Sequence, residues 1–162
     1  MSDCYLPLTN GKFAVVDIED LATALGQTWS YWARGKVAYA RCRVRGSNPS
    51  RWVTLQNYLM PGAATVDHED GNGLNNRRSN LRQATKQQNA ANRGIDRNNT
   101  TGFKGVYRYK HRFRAAIQVD GKQISLGCYD TKEAAARAYD SAALLHFKEF
   151  AKTNQMLGRL DP

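Results

Sequence analysis

The segment from Phe103 to Phe147 constrains the fold most, because its pattern changes once, from three strand-like stretches to one helical stretch. In the middle stretch, residues 112–119, side chains alternate as in a strand with one buried face. The predicted buried face carries Phe113, Ala115, Ile117 and Val119, and the wet face carries Arg112, Arg114, Ala116 and Gln118. Asp120-Gly121 is a hairpin signature before the third stretch. These features predict a three-stranded antiparallel sheet.

The helical stretch, residues 131–147, is rich in alanine. Glu133 in its first turn suits the helix dipole. A small-residue face is predicted from the near four-residue spacing of Ala134, Ala138, Ala142 and Leu145. Such a face can lie closely on the sheet, so we expect the three strands to pack on this one helix.

The N-terminal part predicts shorter elements. Asn10-Gly11 indicates a hairpin, and a helix with Ile18, Leu21, Ala22 and Leu25 on one face is expected to end at Gly26. Strand-rich stretches follow at residues 29–35, 37–46 and 51–55, broken by Gly35, Gly46 and Pro49, and a short helix is expected at residues 55–60. The polar stretch 93–102 predicts a boundary between domains at residues 1–95 and 103–155, with a linker at residues 96–102. The fold class is therefore α+β.

Charge and cysteine content narrow the function. The net charge is +10 and the pI about 9.8, which favours a polyanionic partner. Residues 1–96 carry 12 Lys and Arg against 8 Asp and Glu, and residues 97–162 carry 12 against 6, so both parts can face nucleic acid. Three widely spaced cysteines support neither a disulfide framework nor a zinc finger. With no signal-like leader or membrane-length apolar run, the expectation is a cytoplasmic protein.

The polar tract from Val66 to Asn89 places Asp67 and His68 ahead of many asparagines and arginines. A histidine can act as a base near neutral pH, and a carboxylate can bind a hard divalent cation, so the tract could hydrolyse a phosphodiester. Thr85 and Gln88 form a capping box, which predicts a helix that presents Asn89 and Asn92 on one face. Adjacent strand residues point to opposite faces, so Asp67 and His68 reach one phosphate only if the strand bends. The alternative is a turn-rich, solvated loop.

The tract "VDHEDGNGLNNRRSNLRQATKQQNAAN" resembles the signature of HNH homing endonucleases, with the motif at residues 65–93. The resemblance implies a ββα-metal nuclease behind a small strand-rich leader and a Mg²⁺ or Mn²⁺ cofactor. It implies His68 as general base, Asn80 as the residue that pins the loop and orients His68, and Asp67 and Asn89 as metal ligands; Asn92, Arg77 and Arg82 also match. The upstream residues resemble the leader of phage enzymes, which places the protein in the host cytoplasm. Those leaders usually carry His-Arg where this chain has Gln56-Asn57.

Residues 101–154 resemble the ethylene-responsive-factor (APETALA-type) DNA-binding domain, through "GFKGVYRYKHRFRAAI", "ISLGCYDTKEAAARAYDSAA" and "AKTN". That family reads the major groove of double-stranded DNA with its three-stranded sheet. Together, the wet face and this resemblance assign DNA contacts to Tyr107, Tyr109, Arg112, Arg114, Ala116, Gln118, Gln123 and Ser125. At several DNA-facing positions, the arginines and tryptophans of the family are replaced in this chain by Tyr, Ala, Gln or Ser. The resemblance therefore implies the fold of the family but not the DNA sequence that the family recognises.

The hypothesis from the sequence is a metal-dependent DNA endonuclease that acts as a monomer and nicks one strand, because one His–Asp–Asn constellation holds one phosphate. The rival hypothesis is a DNA-binding regulator that keeps the nuclease fold without cutting, which Gln56-Asn57 favours. A third hypothesis, an RNA-binding protein, is supported only by the positive net charge.

Overall fold

A computed structural model of the chain describes residues 4–35, 37–44 and 51–161. The chain forms two compact units, Met1–Thr85 and Lys86–Pro162. The fold is mixed α+β, with small antiparallel sheets and short helices, as the sequence predicts. The breaks between strands that were predicted at Gly46 and Pro49 lie outside the described residues. The linker that was predicted between the domains, residues 96–102, lies within the second unit. In the described ranges, no helix has the length and hydrophobicity of a membrane span.

Over its described residues, the first unit contains three small antiparallel sheets and two α-helices. Its elements are β1 (Cys4–Pro7), β2 (Phe13–Val16), α1 (Ile18–Leu25), β3 (Ser30–Arg34), β4 (Val37–Arg43), β5 (Trp52–Thr54), α2 (Leu55–Leu59), β6 (Val66–His68) and β7 (Leu81–Gln83). Strand β1 pairs with β2, β4 lies between β3 and β5, and β6 pairs with β7. The predicted hairpin at Asn10-Gly11, the three strand-rich stretches and the two helices are confirmed.

The predicted apolar face of α1 is confirmed only at Leu21, which packs against the core of the first unit. Ile18 is 65% exposed and Leu25 is 56% exposed, whereas Asp20 and Ala24 are buried. Asp20 can be buried because Arg78 donates to both of its carboxylate oxygens, at 2.7 and 2.8 Å. A charged residue thus takes a place on the inner side of the helix that the spacing of apolar residues assigned elsewhere.

The second unit contains α3 (Lys86–Ala91), β8 (Val106–Tyr109), β9 (Arg112–Val119), β10 (Lys122–Tyr129) and α4 (Lys132–Phe147). The strands form an antiparallel sheet in the order β10-β9-β8, as predicted. Asp120 and Gly121 have φ values of 51° and 76°, the left-handed pair that a two-residue hairpin turn requires. The sheet packs on α4, and this contact was also predicted.

The predicted contact face of α4 is confirmed at Ala138, which packs against the core of the second unit, and is otherwise displaced by about one residue. Ala134 is exposed, Leu145 is 75% exposed, and the buried side chains are Ala135, Ala136, Tyr139, Asp140, Ala143 and Phe147. Phe103, Val106 and Ala115 form the core that selects this stripe. Ala116, expected on the wet face, is buried as well, because β9 is the central strand and its short side chains are covered by neighbours.

Candidate active site

The loop between β6 and β7, residues 69–80, is closed by the side chain of Asn80. Its Nδ2 donates to the backbone oxygen of Asn75 at 2.7 Å and to Oδ1 of Asp70 at 2.9 Å. Its Oδ1 accepts from the amide of Asp70 at 3.0 Å. The buried Asn80 therefore joins both sides of the loop through three hydrogen bonds.

Asp70 forms the centre of this loop, and no role was predicted for this residue from the sequence. Its carboxylate accepts from the Asn72 amide at 2.7 Å and from Nδ2 of Asn75 at 2.8 Å. Partial burial acts to raise the pKa of Asp70, but the hydrogen bonds from Asn75, Asn72 and Asn80 outweigh it and hold the pKa below its usual value. The Asp-Gly-Asn spacing, typical of an Asx turn, could have revealed this role.

His68 is buried at the end of β6. Its Nε2 lies 3.3 Å from Oδ1 of Asn76, and its ring lies 6.0 Å from the ring of Tyr39. Burial lowers the pKa of His68, although the bond to Asn76 and the nearby Asp70 and Asp67 carboxylates oppose the shift. The ring is thus neutral at pH 7, and a neutral ring that donates from Nε2 carries its lone pair on Nδ1. Such a ring can accept a proton.

Asn76 and Tyr39 are contacts of His68 that sequence reasoning missed. Asn76 is fully buried, its amide donates to the backbone oxygen of Val15 at 2.7 Å, and its Nδ2 donates to that of Gly73 at 3.4 Å. The backbone thereby fixes the group that contacts the histidine. Asn76 follows Asn75 directly in the polar tract, but no local pattern separates the two residues.

Asp67 is buried and lies beside Arg82. The register of β6 and β7 pairs Asp67 with Arg82 and His68 with Leu81 without a shift. Nε and Nη2 of Arg82 lie 3.0 and 2.9 Å from Oδ2 of Asp67. Adjacent strand residues point to opposite faces, which is why Asp67 and His68 contact different partners. The structure therefore groups Asp67 with Arg82 and His68 with Asn76.

The remaining predicted residues of the tract lie on either side of the division between units. Arg77 is half-buried and precedes the 3₁₀ turn Arg78–Asn80 of the first unit. Asn89 is half-buried on α3, and Asn92 is buried just beyond that helix, in the second unit. Helix α3 begins one residue after Thr85, as the capping box predicts.

The donor chemistry of Asp67 and Asn89 fits a hard divalent cation. A carboxylate oxygen and an amide oxygen are ligands that Mg²⁺ and Mn²⁺ accept. Within the described residues, no group of three His, Cys, Asp or Glu side chains is arranged to hold a metal ion.

The predicted DNA-contacting residues of the second unit share one face of its sheet. The register pairs Tyr109 with Arg112 and Tyr107 with Arg114. It also pairs Gln123 with Gln118 and Ser125 with Ala116. These residues are exposed except for the half-buried Arg114 and the buried Ala116, and Arg112 forms a 2.8 Å ion pair with Asp130. The face is polar and basic and interleaves tyrosine with arginine.

The Gln56-Asn57 pair lies on α2. Gln56 is buried and Asn57 is exposed. In the described part of the chain, Oε1 of Gln56 has no hydrogen-bond partner.

Similarity to known proteins divides along the chain. A family model described as HNH endonuclease matches residues 58–91. A mimivirus protein (Acanthamoeba polyphaga mimivirus) named as an HNH endonuclease is 37% identical over 98 residues, 60% of this chain and 50% of that protein. Protein 3.8 of Escherichia phage T7 is 35% identical over 92 residues, 56% of this chain and 76% of that protein. Over the C-terminal region, an AP2-like ethylene-responsive transcription factor of Arabidopsis thaliana is 39% identical over 72 residues, 44% of this chain and 21% of that protein. The chain thus spans half the length of its mimivirus relative.

Proposed function

Because the chain belongs to the HNH endonuclease family, we propose that it is a metal-dependent endonuclease that hydrolyses a phosphodiester of double-stranded DNA. The observation that carries the proposal is the buried His68 at the end of β6, beside the loop that Asn80 closes. The ββα-metal arrangement is part of the proposal, with β6, β7 and α3 as its elements.

In the proposed mechanism, His68 accepts the proton of the attacking water. Its lowered pKa keeps the ring unprotonated at neutral pH, as a general base requires. Asn76 orients the ring through Nε2, and Asn80 holds the loop that supports it. Asp67 and Asn89 would hold the cation, which would supply positive charge at the phosphoryl oxygens and at the departing 3′ oxygen. Because Asp67 and His68 point to opposite faces of β6, this arrangement requires the strand to bend at Asp67 when the substrate binds. The products would carry a 5′ phosphate and a 3′ hydroxyl.

The sheet face of the second unit is proposed to hold the target. Arginines such as Arg112 and Arg114 can contact phosphates and guanine edges, and Tyr107 and Tyr109 extend the contact surface. The resemblance to an ethylene-responsive transcription factor supports this assignment. Changing Arg112 and Arg114 together to Ala should weaken DNA binding while the catalytic residues stay in place.

A DNA-binding regulator that does not cut is the second candidate. The Gln56-Asn57 pair favours it, because the leaders of the phage enzymes that this chain resembles usually carry His-Arg at these two positions. A plasmid cleavage assay distinguishes the two functions, because a regulator binds DNA but leaves the plasmid intact.

The test is incubation of supercoiled plasmid with the protein in Mg²⁺ or Mn²⁺, and again with a chelator. We expect cleavage only with the cation, and a fall of about 10²–10⁴-fold for His68→Ala, typical of a lost acid–base group. His146→Ala is the matched control. His146 is exposed on α4, so we expect this variant to cleave plasmid as the wild type does. Undiminished cleavage by His68→Ala would remove the active-site assignment.

The proposal also includes nicking by a monomer. The two strands of DNA run antiparallel, and one constellation around His68 can hold one scissile phosphate at a time. Open circles should therefore accumulate before linear plasmid. Linear product from the earliest times, without open circles, would indicate paired active sites.

A further inference from the structure

The outer side of the β3-β4-β5 sheet carries three arginines and three large aromatic side chains. We call this surface the basic-aromatic face; its residues are Trp32, Arg34, Tyr39, Arg41, Arg43 and Trp52. The register pairs Trp32 with Tyr39 and Trp52 with Arg43, and alternation along the strands puts the other two on the same side. The opposite side, with Ala40 and Cys42, is buried in the core of the first unit.

The sheet segment carries charge of one sign only. Residues 30–54 contain six cations, Arg34, Lys36, Arg41, Arg43, Arg45 and Arg51, and no Asp or Glu. Among the described residues, no carboxylate forms an ion pair with Arg34 or Arg41, whereas Asp20 and Asp67 pair with arginines outside this sheet. A cluster of arginines in a segment without carboxylates attracts a polyanion.

Arg41 is held in a fixed position on the face. Its guanidinium lies 4.9 Å from the ring centre of Trp32 and 4.3 Å from that of Trp52. Trp52 is nevertheless 56% exposed, which is unusual for a residue that packs in cores. Stacking orders the planar guanidinium before a ligand arrives, and a guanidinium is suited to two parallel bonds with a phosphate. The face is therefore prepared for phosphate groups.

The face adjoins the candidate active site. The Trp32 and Tyr39 rings are 6.0 Å apart, and the Tyr39 and His68 rings are also 6.0 Å apart. The active-site loop rests on the same sheet at Gly73, where an added Cβ would lie 2.5 Å from the ring of Tyr39. A chain of rings thus leads from the arginines to the histidine.

We propose that the basic-aromatic face binds the backbone of double-stranded DNA beside the scissile phosphate. The inference rests on the proposed function for the identity of the substrate. A duplex is favoured over an unpaired strand because both indoles of the stack are engaged by Arg41, so phosphate contacts dominate over base stacking. The face thereby forms a DNA contact in the first unit, in addition to the sheet of the second unit.

The test measures binding of full-length protein carrying His68→Ala to a labelled 40-base-pair duplex, by fluorescence anisotropy over a range of salt concentrations. His68→Ala keeps the DNA intact, so binding is read independently of cleavage. The face variant is Arg34→Gln, Arg41→Gln and Arg43→Gln. The control variant removes equal charge from exposed positions of the second unit, by Arg97→Gln, Lys148→Gln and Arg159→Gln. Circular dichroism melting checks that both variants fold.

We expect the face variant to bind the duplex at least about tenfold more weakly than the control variant at 0.1 M salt. The slope of log affinity against log salt should fall by about 2 to 3, since each phosphate contact contributes about 0.9. Equal weakening of the two variants would overturn the proposal, because net charge alone would then explain binding. A larger loss for single-stranded than for duplex DNA would also overturn it. A further outcome is a wild type that cleaves no DNA and a face variant that still loses duplex binding selectively. That result would contradict the proposed nuclease function and would still support the basic-aromatic face as a DNA-binding surface.

Discussion

Replacing Asn80 with Ala should destabilise the first unit by about 3 kcal/mol. The change removes two hydrogen bonds donated to Asn75 and Asp70 and one accepted from the Asp70 amide. A neutral hydrogen bond contributes about 1 kcal/mol and one to a charged carboxylate about 2 kcal/mol. Because Asp70 is exposed, water recovers part of its share, and about 3 kcal/mol remains.

Tryptophan fluorescence isolates this effect. All three tryptophans, Trp29, Trp32 and Trp52, lie in the first unit, so urea unfolding followed by their emission reports that unit alone. With a slope of about 1.5 kcal/mol per molar urea, the midpoint should fall by roughly 2 M. Asn72→Ala is the matched control: it removes one exposed bond, from the Leu74 amide at 3.1 Å, and should cost less than about 1 kcal/mol.

The same variant should change the response to acid. The lowered pKa of Asp70 stabilises the folded state above pH 3.8, the ordinary value, and this contribution disappears as the pH falls below it. Asn80→Ala removes one of the bonds responsible, so stability should depend less on pH in that range. Similar midpoints for Asn80→Ala and Asn72→Ala would refute the account of the loop, as would an unchanged acid response.

Three further predictions concern the second unit and are measured by thermal melting followed by circular dichroism. Gly105→Ala should destabilise it by several kcal/mol, because φ is +73° and a Cβ would overlap the Tyr139 ring, whereas Gly102→Ala, at φ +79° with open space around it, should cost only about 1–2 kcal/mol. Thr131→Ala should cost about 1 kcal/mol, since its side chain accepts from the first turn of α4 at 3.1 Å. Lys104→Met should cost about 2–4 kcal/mol, because it leaves three backbone oxygens without the ammonium that donates to them. Equal destabilisation by Gly105→Ala and Gly102→Ala would contradict the contact with Tyr139. Unchanged stability of Thr131→Ala or of Lys104→Met would contradict the hydrogen bonds assigned to that residue.

Local chemistry was sufficient to predict where elements begin and end. Asn10-Gly11 and Asp120-Gly121 form the hairpins that their conformational preferences indicate, and the alternation in residues 112–119 forms the central strand of its sheet. Helix α4 begins at Lys132, one residue inside the predicted helical stretch, and Thr131 caps it. These features depend on residues within a few positions of one another, so the sequence alone determines them.

The buried faces of α4 and α1 could not be predicted from local sequence in the same way. An alanine-rich helix such as α4 has small residues on every side, so spacing cannot identify the stripe that Phe103 and Val106 select by packing. On α1, Asp20 is buried only because Arg78, 58 residues later, neutralises it.

The candidate site divides in the same manner. The sequence by itself indicated the loop and the histidine, and the resemblance to HNH endonucleases added Asn80 as the residue that closes the loop. The tertiary structure alone decided that Asn76 contacts the ring, that Arg82 pairs with Asp67, and that Tyr39 lies beside His68. Such contacts follow from strand register and sheet packing, which bring together residues that no local pattern connects.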